Sequence, residues 1–375
     1  MEKIGIFGGS FDPCHKEHIL VALSALQELG LNKLYIVPTL IAPHKKDQNA
    51  ISGEDRLNML KIAFKDYPKI EISDFEIKND GISYTYLTVS HFKKLHKDAN
   101  LYFIMGSDML DNFPTWKNPD VIVSLCSLVL VSREDKSHLN EIAIKTIKKL
   151  YGADVLQLKS QGAKVSSTEI RLRLKLGLEG DSLLDSGVKN YIIKNGLYKG
   201  DNLYNAAQKE LPLKRRTHTL GVILTALELG KKLGLDLKKV ETASLLHDIA
   251  KYKDPNDYPL FELPPNCPSE VAHQFLGEYI AREELGVQDK DVLNAIKYHT
   301  TGRDNMSTLE KVVYVADLIE PSRKYEGVNE LRKVIDKDFE SGFNICIKEV
   351  FEFLKKGGGE IYPLTEIATK FYCKE

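Results

Sequence analysis

The sequence has a single tryptophan, Trp116, only five cysteines and almost no net charge. The cysteines (Cys14, Cys126, Cys267, Cys346, Cys373) are odd in number and scattered, with no C-x-x-C pair. That pattern argues against a disulfide-stapled secreted scaffold and fits reduced thiols in the cytoplasm. The formal charge is −1, with 52 basic and 53 acidic residues intermixed, so the electrostatic footprint of a nucleic-acid binder is missing. The longest apolar run, "VIVSLCSLVLVS" from Val121, is too short to cross a bilayer and is rich in strand formers. The first residues lead at once into a strand pattern, without a basic segment and signal-type apolar run. A soluble, cytoplasmic protein with no membrane or nucleic-acid partner is expected.

What is present is a chain of 375 residues, 43% hydrophobic and long enough for two domains. In the first half, short apolar runs ("KIGIF", "KLYIVP", "LYFIMG", "SLVLVS") alternate with helical periodicity, as in "EHILVALSALQELG". Alternation of this kind predicts an α/β domain with a parallel sheet. After about residue 200 the strand-like runs stop and helical periodicity takes over. The polar, glycine-punctuated "NGLYKGDNLY" marks the boundary, giving domains over 1–198 and 199–375, the second all-α.

The stretch "GIFGGSFDPCHKEH" concentrates the chemistry of the first half. Gly8 and Gly9 let backbone approach a ligand closely. Asp12 suits an N-cap and Pro13 the first helical position, so a helix is predicted to start near Pro13 with its N–H groups facing the loop. A helix N-terminus attracts anions. His15 and His18, three apart, share a face and can donate to phosphate oxygens. In "VSSTEIR", Ser166 and Glu169 form a capping box with Arg171 in the next turn, a second candidate phosphate clamp.

These segments, with "APHK", "SYTYLT", "FIMGSDML" and "TWKNPD", resemble the H-x-x-H nucleotidyltransferases, and among them the nicotinate mononucleotide adenylyltransferases. The resemblance covers residues 1–198 and implies a Rossmann-like fold. It implies that Gly8, Gly9, Ser10 and Phe11 line an ATP site, with His15 and His18 on the phosphates. Ser166, Ser167 and Arg171 would close from the other side, Lys45 would add positive charge, and Gly106 and Asp108 would meet the adenosine. Tyr84, Thr85 and Trp116 would hold the pyridine nucleotide, and Mg²⁺ would accompany ATP. Glu17 stands where the family has glycine in H-x-G-H, and Leu87 where it has aspartate in S-Y-T-x-D-T.

The second half contains four histidines, His218, His247, His273 and His299, each on or at the end of a predicted helix among apolar residues. Asp248 follows His247, and Asp317 lies within an apolar run. Imidazoles with carboxylates suit divalent transition metals, and a buried unpaired aspartate is costly unless something neutralises it. The order H…HD…D, with "HDIAKY", "YHTTGR" and "LEKVVYVADLIEPSR", resembles the HD-domain symmetric diadenosine tetraphosphate hydrolases over about 205–372. That resemblance implies two metals, iron or otherwise manganese, held by His218, His247, His273, His299 and Asp317 with Asp248 as the bridge. Lys251, one helical turn after His247, and Arg303 are candidates for the polyphosphate, as are Thr300 and Thr301. The expected function is adenylyl transfer to nicotinate mononucleotide plus hydrolysis of diadenosine tetraphosphate. The alternatives are a nicotinamide mononucleotide or other acceptor, another nucleotide for the HD domain, or an HD domain that senses nucleotides without turnover.

Overall fold

A computed structural model gives the fold and describes residues 1–41, 51–79, 81–110, 112–131, 137–159, 165–180, 182–358 and 360–373. The chain divides into two compact units. One comprises Met1–Arg171 and Gly180–Tyr198, the other Leu172–Glu179 and Lys199–Glu375. Leu172, Leu176 and Leu178 bury their side chains in the same apolar cluster as Tyr204 and Ala207, which accounts for the grouping of 172–179 with the second unit.

The first unit is built on six strands: β1 Lys3–Gly9, β2 Lys33–Pro38, β3 Ile70–Ile72, β4 Asn100–Gly106, β5 Cys126–Val131 and β6 Val155–Gln157. All adjacent pairs are parallel, in the order β3-β2-β1-β4-β5-β6. The four longer strands are the apolar runs of the sequence. Ile4, Ile6, Leu34, Ile36, Leu128 and Leu130 are fully buried, as strands covered on both faces require. β3 and β6 are edge strands of three residues each, too short to carry a periodic signal. The run from Val121 splits into the end of the Pro119–Leu125 helix and the whole of β5. The strand order reverses between β1 and β4, and ligands of open α/β sheets bind beyond the carboxyl ends at such a point. There β1 ends in Gly8–Gly9 and β4 in Gly106.

The second unit has helices and no strand among the described residues. Asp201, Asp236, Asp289 and Ser307 cap four of them by accepting backbone N–H bonds of the first turn. Five helices position the metal-ligand candidates: Leu213–Lys232, Leu237–Leu246, Ser269–Glu283, Lys290–Lys297 and Thr308–Ile319. Their apolar faces meet in one core containing Val222, Leu246, Leu276, Ile296 and Val315.

Candidate active sites

At the carboxyl end of β1, a Cβ on Gly9 would come within 3.1 Å of the Phe11 ring, so any side chain here would press on that ring. Phe11 is buried, and its ring meets the His18 ring edge-on at 4.9 Å. The helix does not start at Pro13. It runs Lys16–Glu28, with His15 at the N-cap. The Asp12 carboxylate that was expected to cap is taken elsewhere. Tyr198 donates its hydroxyl to it at 2.5 Å, and Arg171 Nη1 lies 3.8 Å away. His15 and His18 stack at 3.7 Å, and the His15 backbone N–H donates to His18 Nδ1 at 3.2 Å. A neutral His18 whose Nδ1 accepts carries its proton on Nε2, which makes it a fixed donor. Glu17 is half-buried in the same first turn.

The segment predicted as a second clamp does reach this loop, but it grips the backbone. Arg171 Nη1 donates to the Asp12 carbonyl at 2.7 Å, and the Ser167 hydroxyl donates to the Pro13 carbonyl at 3.1 Å. The Ser166 hydroxyl accepts the Glu169 N–H, capping the Ser167–Lys175 helix. Arg56, missed in the sequence, is buried and donates from Nη1 to the carbonyls of Ser10 (3.0 Å) and Thr39 (2.5 Å). Its place three, four and seven positions before Met59, Leu60 and Ala63, the apolar face of the Gly53–Ala63 helix, was its only sequence signal.

Gly106 leads into a 3-10 turn, Ser107–Met109. Lys45 and the side chain of Asp108 lie outside the described residues. Tyr84 occupies the N-cap position of the Thr85–Leu95 helix without a side-chain capping bond, and Lys117 Nζ sits 4.4 Å above its ring. Trp116 packs on Phe113 at 5.3 Å and Phe103 at 6.3 Å. Its Nε1 is buried with no hydrogen-bond partner among the described residues. Leu87 is 45% exposed on the surface. The buried polar contact of this motif is instead the Thr88 hydroxyl donating to Glu76. Burial holds the Glu76 carboxyl above its ordinary pKa, offset in part by Thr88 and Ser83.

In the second unit the six predicted ligands come together. Asp248 is buried and divides its two oxygens. Oδ2 lies 3.3 Å from His247 Nε2 and 3.8 Å from His218 Nε2, and Oδ1 lies 3.3 Å from His273 Nε2 and 3.7 Å from His299 Nε2. Asp317 Oδ1 joins the first group, 3.0 Å from His218 Nε2. Two triads result, His218–His247–Asp248 and Asp248–His273–His299, each with donor atoms within 4.8 Å of one another. The outward nitrogens are anchored. Nδ1 lies 3.0 Å from Glu320 in His218, 2.7 Å from the Ser244 carbonyl in His247 and 2.8 Å from the Ile296 carbonyl in His299. Anchoring Nδ1 to an oxygen acceptor turns the Nε2 lone pair inward, as in metal-binding histidines. Among the described residues His247 Nε2 is buried with no hydrogen-bond partner, an atom that a metal ion would satisfy. The donor set thus fits divalent metal ions. Burial, with His299 and Lys251, pushes His273 down to about 3, leaving the neutral imidazole that ligation requires. Burial works against the Asp248 anion, but His247 and His299 outweigh it and hold it well below the usual range.

Lys251 reaches the cluster by a different route from the one predicted. The Leu237–Leu246 helix stops at the histidine, and residues 247–252 form consecutive turns. Lys251 Nζ ends 3.2 Å from His273 Nε2. The Thr300 hydroxyl is 3.0 Å from His299 Nε2, so Thr300 belongs to the cluster. Thr301 and Arg303 do not enter it among the described contacts. The Thr301 hydroxyl is buried against Gln274 and the Gly302 carbonyl. Arg303 makes two bonds to buried Glu310, at 2.7 and 3.0 Å. Three participants were missed. Arg215 donates to Asp248 Oδ2 at 2.8 Å, Arg323 donates to Asp317 Oδ1 at 2.5 Å, and Glu320 anchors His218. Arg215 precedes His218 by three positions and Glu320 follows Asp317 by three, a helical spacing that could have signalled them.

Residues 6–173 match the cytidylyltransferase-like family model and residues 215–322 the HD domain model. A Mycoplasma genitalium protein named "Probable nicotinate-nucleotide adenylyltransferase/Ap4A hydrolase" is 31% identical over 369 residues, covering 94% of this chain and 99% of that one. A Clostridium tetani protein named "Probable nicotinate-nucleotide adenylyltransferase" is 39% identical over 201 residues, covering 53% of this chain and 100% of its own. A solved Clostridium acetobutylicum protein, described as a "predicted HD superfamily hydrolase involved in NAD metabolism", is 36% identical, covering 46% of this chain and 96% of that one, with a TM-score of 0.43. No described helix is long and apolar enough to cross a membrane. With both site constellations in place and a similarity that spans both units, the chain belongs to the nicotinate-nucleotide adenylyltransferase/Ap4A hydrolase family.

Proposed function

We propose that the protein is a bifunctional enzyme. The first unit transfers the adenylyl group of ATP to nicotinate mononucleotide, and the second hydrolyses diadenosine tetraphosphate to two ADP. The reading is carried by the coexistence, in a chain similar to a fused relative over 94% of its length, of the His15–His18 pair at the sheet's switch point and the shared carboxylate of Asp248.

In the first reaction a phosphate oxygen of the mononucleotide bonds to the α-phosphorus of ATP, and the bond to the β-phosphate oxygen breaks, releasing pyrophosphate. The nucleophile is already ionised at neutral pH, so the protein's task is positioning and charge stabilisation. His18 Nε2–H and the amino end of the Lys16–Glu28 helix face developing negative charge, and Arg171, Ser167 and Arg56 hold the loop that presents them. Mg²⁺ arriving with ATP would neutralise the pyrophosphate leaving group.

In the second unit, iron or manganese held by the four histidines, Asp248 and Asp317 would supply Lewis acidity and lower the pKa of water. The chain's own contribution is a cationic rim. Lys251 stands beside His273, Arg215 and Arg323 stand beside the carboxylates, and together they receive the phosphate chain. The setting is the cytoplasm, with small nucleotides as partners.

The test uses anaerobically purified protein. Pyrophosphate release from ATP plus nicotinate mononucleotide, and ADP release from diadenosine tetraphosphate, are measured side by side. His18→Ala lowers the first by about 10²-fold, the cost of one transition-state donor, and leaves the second intact. His247→Ala does the reverse. Products of AMP and ATP from the dinucleotide, or one variant silencing both reactions, would refute the assignment.

A further inference from the structure

A cavity of about 540 Å³ opens beside the histidine cluster, within the range of small-ligand sites. Its wall includes Lys251 and His273, whose Nζ and Nε2 atoms lie 3.2 Å apart, so the cavity is continuous with the metal-ligand residues. The remaining wall is of another character. Tyr252 is 61% exposed, and Leu263 is also exposed. Pro255, Cys267 and Ala272 add apolar surface, Asp254 and Glu270 bring carboxylates, and Lys253, paired with Glu210 at 2.7 Å, is a second cation in the wall.

We infer that this cavity receives a nucleoside end of the dinucleotide, with its base against Tyr252 and its phosphates leaving past Lys251 toward the histidines. The inference rests on the hydrolase reading and names the part of the substrate that the cluster itself does not hold. The charge distribution selects this occupant. A bare polyphosphate lying across the cavity would meet Asp254 and Glu270, two anions, while the Lys253 charge is already engaged by Glu210. Asp254 Oδ1 already accepts two N–H groups of Asn256, at 2.9 and 2.8 Å, and Glu270 Oε2 accepts the Ser269 hydroxyl at 3.2 Å. Each carboxylate has further lone pairs, which suit ribose hydroxyls or an exocyclic amine. An exposed aromatic ring next in sequence to a cation is the arrangement that stacks a base while its phosphate is neutralised. The cation end and the carboxylate end therefore match the two ends of one nucleoside phosphate.

The chain's single tryptophan makes the test direct. In full-length, Mn²⁺-loaded protein carrying Trp116→Phe and Tyr252→Trp, the only indole lies in the cavity wall. ADP should quench its emission saturably, and pyrophosphate should not. Leu263→Trp, which fills the cavity from an exposed position, should raise KM for diadenosine tetraphosphate at least tenfold with kcat within threefold. Unchanged emission with ADP, equal quenching by pyrophosphate, or an unaltered KM would overturn the inference. If the unaltered protein released no ADP from the dinucleotide, the hydrolase reading would fall, and ADP quenching would still decide the cavity.

Discussion

Of the three anchored imidazoles, only His218 is oriented by a side chain that can be replaced. His247 and His299 lean on backbone carbonyls, whereas His218 Nδ1 lies 3.0 Å from Glu320 Oε1. Glu320 is 1% exposed and also accepts the Ser322 N–H at 2.7 Å. Glu320→Gln keeps the shape and an acceptor oxygen but removes the charge. Loss of such an outer partner costs roughly 10- to 100-fold in metal affinity. Arg323 Nε lies 3.8 Å from the same carboxylate and already offsets part of its charge. The lower end is therefore expected, about tenfold or ~1.4 kcal/mol. Calorimetric titration of metal-free protein with Mn²⁺ should show one weakened site, that of His218, His247 and Asp317, and one unchanged site at His273 and His299. The thermal midpoint of the metal-free protein should move little, because a buried charge is removed while its hydrogen bonds can be retained. Equal weakening of both sites, or of neither, would refute the orienting role of Glu320.

Glu76→Gln should stabilise the protein at neutral pH. The folded pKa of Glu76 is raised, so its favourable contribution exists below the ordinary value of 4.5 and is lost as pH rises through the folded value. The gain in melting midpoint at pH 7 should shrink as pH falls toward 4.5, and a gain independent of pH would contradict the sign. Arg303→Ala leaves the buried Glu310 carboxylate without its guanidinium and should cost roughly 3 kcal/mol, the low end for a broken pair because Arg303 is partly exposed. Denaturant unfolding measures this, and a raised KM for the dinucleotide with unchanged stability would instead return Arg303 to phosphate binding.

The longer strands and the clustering of histidines with aspartates were legible because each carries a residue-level signal. Buried parallel strands are continuous apolar runs, and His247–Asp248 is a polar pair at an apolar helix end. The start of the first helix was not legible, since Asp12 is a good cap in isolation and only the fold brings Tyr198 and Arg171 to it. Lys251 does lie beside His273, but not by the helical spacing expected, because the helix ends before the histidine. Arg303 and Thr301 look like ligand groups in "YHTTGR", yet folding gives them Glu310 and Gln274 as partners. Contacts between residues far apart in sequence leave no local trace, and they decide which polar groups are already satisfied.

The loop after β1 has the carbonyls of Gly9, Ser10, Asp12 and Pro13 each tied to a donor: Thr39 N–H, Arg56, Arg171 and the Ser167 hydroxyl. The electron-rich ends of these peptides are drawn into the protein body, so an incoming anion is spared their repulsion. Selectivity for phosphate is then written in main-chain orientation and not in the letters of the motif. Such a turn should absorb a bulky anionic substitution at its rim, as at Glu17, yet fail when a guanidinium buried behind it is exchanged for the shorter reach of lysine.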